Sequence, residues 1–123
     1  MIRPRILIVE DTQSIRMMAA SIVETLGGKV VGVANDGIEA EEKFLKHKPD
    51  LTLLDIEMPN RNGIDTLSTL LNIQGDAKIV MLTAVGDISV AERCIRLGAC
   101  GYLMKDFQSP EFKDGLKQLL DTA

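Results

Sequence analysis

Apolar and polar positions follow one another along this chain in two different rhythms. Unbroken apolar runs occur at Ile6–Val9 and Ile79–Leu82, three leucines fall among the four residues Leu51–Leu54, and weaker runs lie at Val30–Ala34 and Tyr102–Met104. Short continuous runs of this kind read as strands covered on both faces. Between them, apolar residues recur three or four apart. The sets are Ile15, Met18, Ile22 and Leu26; Ala40 and Phe44; Ile64, Leu67 and Leu71; Ile88, Ala91 and Ile95; and Phe112, Leu116 and Leu119. That spacing predicts five helices with these residues turned inward. The punctuation agrees with this reading. Gly27-Gly28 and Gly98 close the first and fourth helices, Asp36-Gly37 precedes the second, and Ser109-Pro110 gives the last an N-cap and a first-turn proline.

Five strands alternating with five helices predict an α/β fold: a doubly wound, five-stranded parallel sheet with helices on both faces. Right-handed crossovers restrict its topology further. The 123 residues, 46% hydrophobic, suit a single domain spanning 1–123. A core of that size buries roughly two-thirds of the surface of the unfolded chain. The net charge of -4, with no run of Lys or Arg, argues against nucleic-acid binding by this domain. No apolar stretch approaches the roughly 20 residues of a membrane span, and no charged-then-apolar leader opens the chain, so a cytoplasmic location is expected. Cys94 and Cys100 match no zinc or redox spacing and are expected to be reduced core thiols. The lack of Trp, with Tyr102 the single tyrosine, argues against a site built on aromatic stacking.

The segment Leu51–Gly63, LTLLDIEMPNRNG, poses the functional question. A core strand ends on a carboxylate, Asp55, and Pro59, Asn60, Asn62 and Gly63, all turn formers, follow. In open α/β sheets, ligands bind beyond the carboxyl ends of the strands. There the first strand delivers Glu10 and Asp11, the third Asp55, the fourth Thr83 and the fifth Lys105. If the first and third strands are neighbours, three carboxylates crowd one spot and repel unless a cation neutralises them. Mg²⁺ commonly takes one or two carboxylates and shares its remaining positions with water and phosphate. A hydroxyl and an ammonium suit a phosphoryl group. A carboxylate in such a setting can act as a nucleophile and form an aspartyl phosphate. Taken singly, each residue has a plainer explanation. Glu10-Asp11 would cap the next helix, Asp55 would face a solvated loop, Thr83 would be a β-branched strand residue and Lys105 would be solvated. Their joint placement after four strands is what points to a site.

With those residues in place, the chain resembles a response-regulator receiver domain of bacterial two-component signalling, over essentially its whole length. The matching pieces are ILIVED, PDLTLLDIEMPNRNGID, KIVMLTA and GACGYLMKDF. The resemblance implies a flavodoxin-like (βα)5 fold with strand order 2-1-3-4-5. It implies Asp55 as phosphoacceptor, and Mg²⁺ (Mn²⁺ as a substitute) held by Asp11, Asp55 and the Glu57 carbonyl, with Glu10 holding metal-bound water. It implies Thr83 and Lys105 on the phosphoryl oxygens and Tyr102 at the aromatic switch position. A sensor histidine kinase or phosphotransfer protein would be the donor. A target protein or fused output domain would read the face formed by the fourth helix, fifth strand and last helix. A monomer or a phosphorylation-dependent dimer is expected. The chemistry is self-directed, with no turnover of an external substrate. Where many members of the family have proline after the lysine, this chain has Asp106. YLMKD is similar to the DNA-binding subgroup, and SIRMM to chemotaxis-type stand-alone receivers.

Three other functions fit the pattern less well. An aspartyl phosphatase of the haloacid dehalogenase type needs a second Asp two residues after the nucleophile, where this chain has Glu57. A flavodoxin-like flavin carrier needs a hydroxyl-rich phosphate loop, and EDTQS would set two carboxylates against the phosphate. A phosphate-independent pseudo-receiver has no need of all five site residues.

Overall fold

The computed structural model describes residues 3–58, 62–84 and 86–123. The elements alternate as β1 (Arg5–Val9), α1 (Gln13–Thr25), β2 (Lys29–Ala34), α2 (Gly37–His47), β3 (Leu51–Asp55), α3 (Gly63–Ile73), β4 (Ile79–Thr83), α4 (Ile88–Arg96), β5 (Gly101–Met104) and α5 (Pro110–Asp121). The strands form one parallel sheet in the order β2-β1-β3-β4-β5. The doubly wound, flavodoxin-like arrangement expected from the sequence is therefore the one observed.

Successive strand residues point to opposite faces, and two cores result. Ile6, Ile8, Leu51, Leu53, Val80 and Leu82 pack against Ala19 and Val23 of α1 and Phe112, Leu116 and Leu120 of α5. Leu7, Val9, Leu54, Ile79 and Met81 pack against Ala40 and Phe44 of α2, Leu67 and Leu70 of α3, and Cys94 of α4. Three N-caps follow from local sequence. Asp36 accepts from the Glu39 amide, Asn62 from the Asp65 amide and Ser109 from the Phe112 amide, with Pro110 in the first turn of α5. At the open edge, β2 slips by one residue against β1: Ile6 pairs with Val30, but Leu7 pairs with Gly32.

Some inward assignments from periodicity are corrected. Met18, Ile88 and Ile95 are exposed. Helix α4 turns the small Ala91 and Cys94 onto the sheet, which lets it lie close and leaves Ile88 and Ile95 on its flanks. Helix α5 completes its buried stripe with Leu120 at the i+4 position, while Leu119 is only half-buried. Cys94 is a core thiol, but Cys100 is exposed. Pro59 and Asn60 lie outside the described residues.

Candidate functional site

The sheet register brings the polar residues together. β1 is flanked by β2 and β3, so Glu10, which follows β1, faces the end of β3. Asp55 pairs with Leu82, one residue before Thr83, and the Lys105 amide donates to the Thr83 carbonyl at 2.8 Å. Neither Glu10 nor Asp11 caps α1, whose N-cap is Thr12. The plainer explanation of that acid pair is thereby removed.

Lys105 is the centre of the charge arrangement. Its ammonium lies 2.7 Å from Asp55 Oδ1 and 2.9 Å from Glu10 Oε2. Glu10 is fully buried and Asp55 is 2% exposed, whereas Asp11 is exposed. One oxygen from each of Glu10, Asp11 and Asp55 falls within a 4.8 Å span. The Glu57 amide donates to Asp55 Oδ1 at 3.2 Å, and the Thr12 amide to Glu10 Oε1 at 3.3 Å. Asp55 Oδ1 is thus shared by an ammonium and an amide. Among the described residues, Asp55 Oδ2 is buried with no hydrogen-bond partner. A buried carboxylate oxygen left this way costs free energy that a bound ligand would recover.

The electrostatics carry the same imbalance. Burial, helped by the Asp55 charge, pushes the Glu10 carboxyl up to about 7 against the pull of Lys105. Burial also raises Asp55, against the pull of Lys105 and the Glu57 amide. Burial disfavours the Lys105 ammonium, but its contacts with Asp55 and Glu10 outweigh that and hold it above its ordinary value. Three acids converge, and Lys105 pairs with two of them, Glu10 and Asp55, so the donor set fits a hard divalent cation such as Mg²⁺.

A stability prediction follows from Glu10. Its proton is held more tightly in the folded chain than in the unfolded one. The stabilisation is therefore complete below about pH 4.5 and is lost as pH rises through about 7. In chelator, Glu10→Gln is expected to be more stable than the parent at pH 8, by about 1–3 kcal/mol, with almost no advantage at about pH 4. Denaturant titrations at the two pH values test this, and an equal difference at both would contradict it.

Thr83 is buried at the end of β4, beside the cluster and outside the ion pairs. Its hydroxyl is 3.4 Å from the Ala84 carbonyl and 3.4 Å from the carbonyl of Asp87, the N-cap of α4. Both separations exceed the usual hydroxyl bond length, so the group is loosely held. Tyr102 lies apart from the acids. It is half-buried against the core under α2–α4 and lines a groove with Met104, Asp106 and Phe112. The Lys105–Asp106 peptide is trans, as are all described peptides.

Two features had no counterpart in the sequence reading. Gly63 was legible only as a turn former, yet a Cβ there would lie 2.2 Å from the Asp55 carbonyl oxygen and 2.5 Å from Ile56 Cα. Arg16 donates from Nη1 to the Glu10 carbonyl at 2.8 Å and to Asn35 Oδ1 at 2.5 Å. Its only sequence signal is a cation in the first turn of the helix that follows the acid pair.

A parallel 2-1-3-4-5 sheet with acids and a lysine at its carboxyl edge defines a class of signalling receiver. The model of the response regulator receiver domain matches residues 6–117, and the chain belongs to that family. It is 36% identical over 115 residues to the chemotaxis protein CheY of Thermotoga maritima, covering 94% of this chain and 96% of the relative. It is 37% identical over 117 residues to the CheY of Bacillus subtilis, covering 95% and 98%. Among solved structures, the CheX–CheY–BeF3–Mg²⁺ complex of Borrelia burgdorferi superposes with a TM-score of 0.84 at 26% identity, over 96% of this chain and 87% of that one. The chain is thus a receiver domain like that of CheY, of a family that serves phosphorylation-dependent signalling. No described helix is long and apolar enough to cross a membrane.

Proposed function

We propose that this chain is a cytoplasmic signalling switch, a single receiver unit that takes a phosphoryl group onto Asp55 from the phosphohistidine of a sensor kinase or phosphotransfer protein. The observation that carries this reading is Asp55 itself: one oxygen is held by Lys105 and the Glu57 amide, and the other has no hydrogen-bond partner among the described residues. Asp55 Oδ2 attacks phosphorus. The new O–P bond forms as the donor's N–P bond breaks, and the electron pair leaves with the imidazole, which takes up a proton. Lys105 orients Asp55 and stays protonated, so its charge is available to the incoming phosphoryl oxygens. Asp11, Asp55 and the Glu57 carbonyl would hold Mg²⁺ or Mn²⁺, with Glu10 on a metal-bound water. When bound, that ion supplies Lewis-acid neutralisation of phosphoryl charge. The Borrelia burgdorferi relative was solved with BeF3 and Mg²⁺, which agrees with this chemistry.

Incubation with acetyl phosphate and Mg²⁺ should add the mass of one phosphoryl group, and chelator should prevent the gain. A parent protein that gains no mass under these conditions would rule the reading out.

Thr83 and Tyr102 transmit the change in this reading. The Thr83 hydroxyl now faces the carbonyl at which α4 begins. Turning it to a phosphoryl oxygen draws the loop inward, with Gly86, at φ +92°, as a pivot. Tyr102 then moves, and the α4–β5–α5 face changes for a target protein or output domain. One charge-assisted hydrogen bond contributes about 1.5–3 kcal/mol, a shift of about ten- to a hundredfold in population. Thr83→Ala should therefore accept the phosphoryl group but lose the accompanying NMR shift of Tyr102. A parental Tyr102 response in that variant would remove Thr83 from the pathway.

A further inference from the structure

We infer that Arg16 is a positioning residue for the divalent cation, acting through the peptide group that joins Glu10 to Asp11; this rests on the reading of those acids as the metal site. Arg16 belongs to α1, and its guanidinium reaches back across the β1–α1 loop. The Nη1 group donates both to the Glu10 carbonyl, at 2.8 Å, and to Asn35 Oδ1, at 2.5 Å. Its bond is to the carbonyl, and the Glu10 carboxylate is left to Lys105 and the Thr12 amide.

That choice of atom has a geometric consequence. The Glu10 carbonyl and the Asp11 amide share one planar unit. Fixing the carbonyl direction fixes ψ of Glu10 and φ of Asp11, and with them the directions in which both side chains leave the backbone. On the other side, the Glu10 amide is already held by the Ala34 carbonyl at 3.0 Å. Asp11 is exposed, and among the described residues its carboxylate makes no hydrogen bond or ion pair, so its backbone must aim it.

Asn35 is in turn anchored. Its amide donates to Glu39 Oε1 at 3.3 Å, while the Glu39 amide donates to the Asp36 N-cap at 2.8 Å. The start of α2 therefore supports Asn35, Asn35 supports Arg16, and Arg16 holds the peptide between the two acids. This is the relation by which outer residues set the orientation of metal ligands, and loss of such a partner typically weakens affinity about ten- to a hundredfold.

Mg²⁺ titration by calorimetry, with melting curves in chelator, tests the assignment on the full chain. Arg16→Met keeps the aliphatic stem and removes the donors. It should weaken Mg²⁺ about tenfold or more. Arg16→Lys places one ammonium with several donors where a single nitrogen now serves both acceptors, and should recover most of the affinity. Asn35→Ala should weaken Mg²⁺ less, and should add little when combined with Arg16→Met, because the two act in series. Asn35→Ala also keeps the test open if Arg16→Met fails to fold. A role confined to stability would lower the melting temperature in chelator and leave Mg²⁺ affinity unchanged, and that result overturns the inference. Parental Mg²⁺ affinity in both Arg16→Met and Asn35→Ala overturns it as well. A parent that shows no saturable Mg²⁺ binding overturns the metal site itself, and the inference with it.

Discussion

Asp55→Asn, treated with acetyl phosphate and Mg²⁺, is expected to gain no mass, whereas the parent gains one phosphoryl group. The substitution keeps the shape of the side chain and the Glu57 amide contact but removes the charge and the nucleophilic oxygen. Asp55 is almost wholly buried and its carboxyl is raised by that burial, so the neutral amide should not lower the stability of the metal-free protein. Lys105 keeps one carboxylate partner in Glu10. Loss of the reaction with retention of the fold is the signature of a nucleophile. Intact-mass spectrometry reads the first and thermal melting the second. A phosphoryl group found on the Asn variant would mean that Glu10 or Asp11 is the acceptor, and the assignment would be wrong.

Gly63→Ala should be the most damaging small substitution in the chain. The Gly63 amide donates to the Ile56 carbonyl at 2.6 Å, which draws the first residue of α3 onto the end of β3. The three atoms nearest a Cβ at this position are backbone atoms of Asp55 and Ile56, all within 2.9 Å. No rotamer change can relieve backbone contacts, so either α3 lifts or the Asp55 backbone moves. Overpacking typically costs about 1–3 kcal/mol, and a rigid obstacle places this case at about 3 kcal/mol or more. A domain with about 5–15 kcal/mol of stability survives that loss. The folded fraction should nevertheless phosphorylate about a hundredfold more slowly, because a displacement near 1 Å at a reacting atom costs about that much. Urea titration and acetyl phosphate kinetics check the two parts separately. Parental stability together with a parental rate would show that the close approach is not a constraint.

These two residues also show what the sequence could and could not disclose. Asp55 was legible because polar residues follow four different strands, and their joint placement at the carboxyl edge outweighs the plainer explanation each has alone. Continuous apolar runs likewise announced a sheet covered on both faces. Gly63 was not legible in the same sense, since its turn chemistry hides a close approach that depends on where α3 meets β3. The faces of α4 were misjudged for a related reason. Apolar spacing defines a stripe, but the stripe is wider than the contact, and Ala91 and Cys94 win the inner position because small side chains permit the closer packing. The double ion pair of Lys105 depends on three strands meeting, and the Arg16–Asn35 link on helix α1 meeting the loop after β2, neither of which a linear pattern can express.

The slipped register of β2 has a bearing on how copies of this protein behave when crowded. A sheet that is open on both sides presents two rows of backbone donors and acceptors, and flat, regular edges invite strand-by-strand polymerisation. Here β5 offers only four residues, and β2 is irregular at Val31 and begins on an exposed lysine. Neither edge is a good template for a second chain, so the aggregation route common to exposed sheets is discouraged at both ends, and encounters between copies are left to the helical faces.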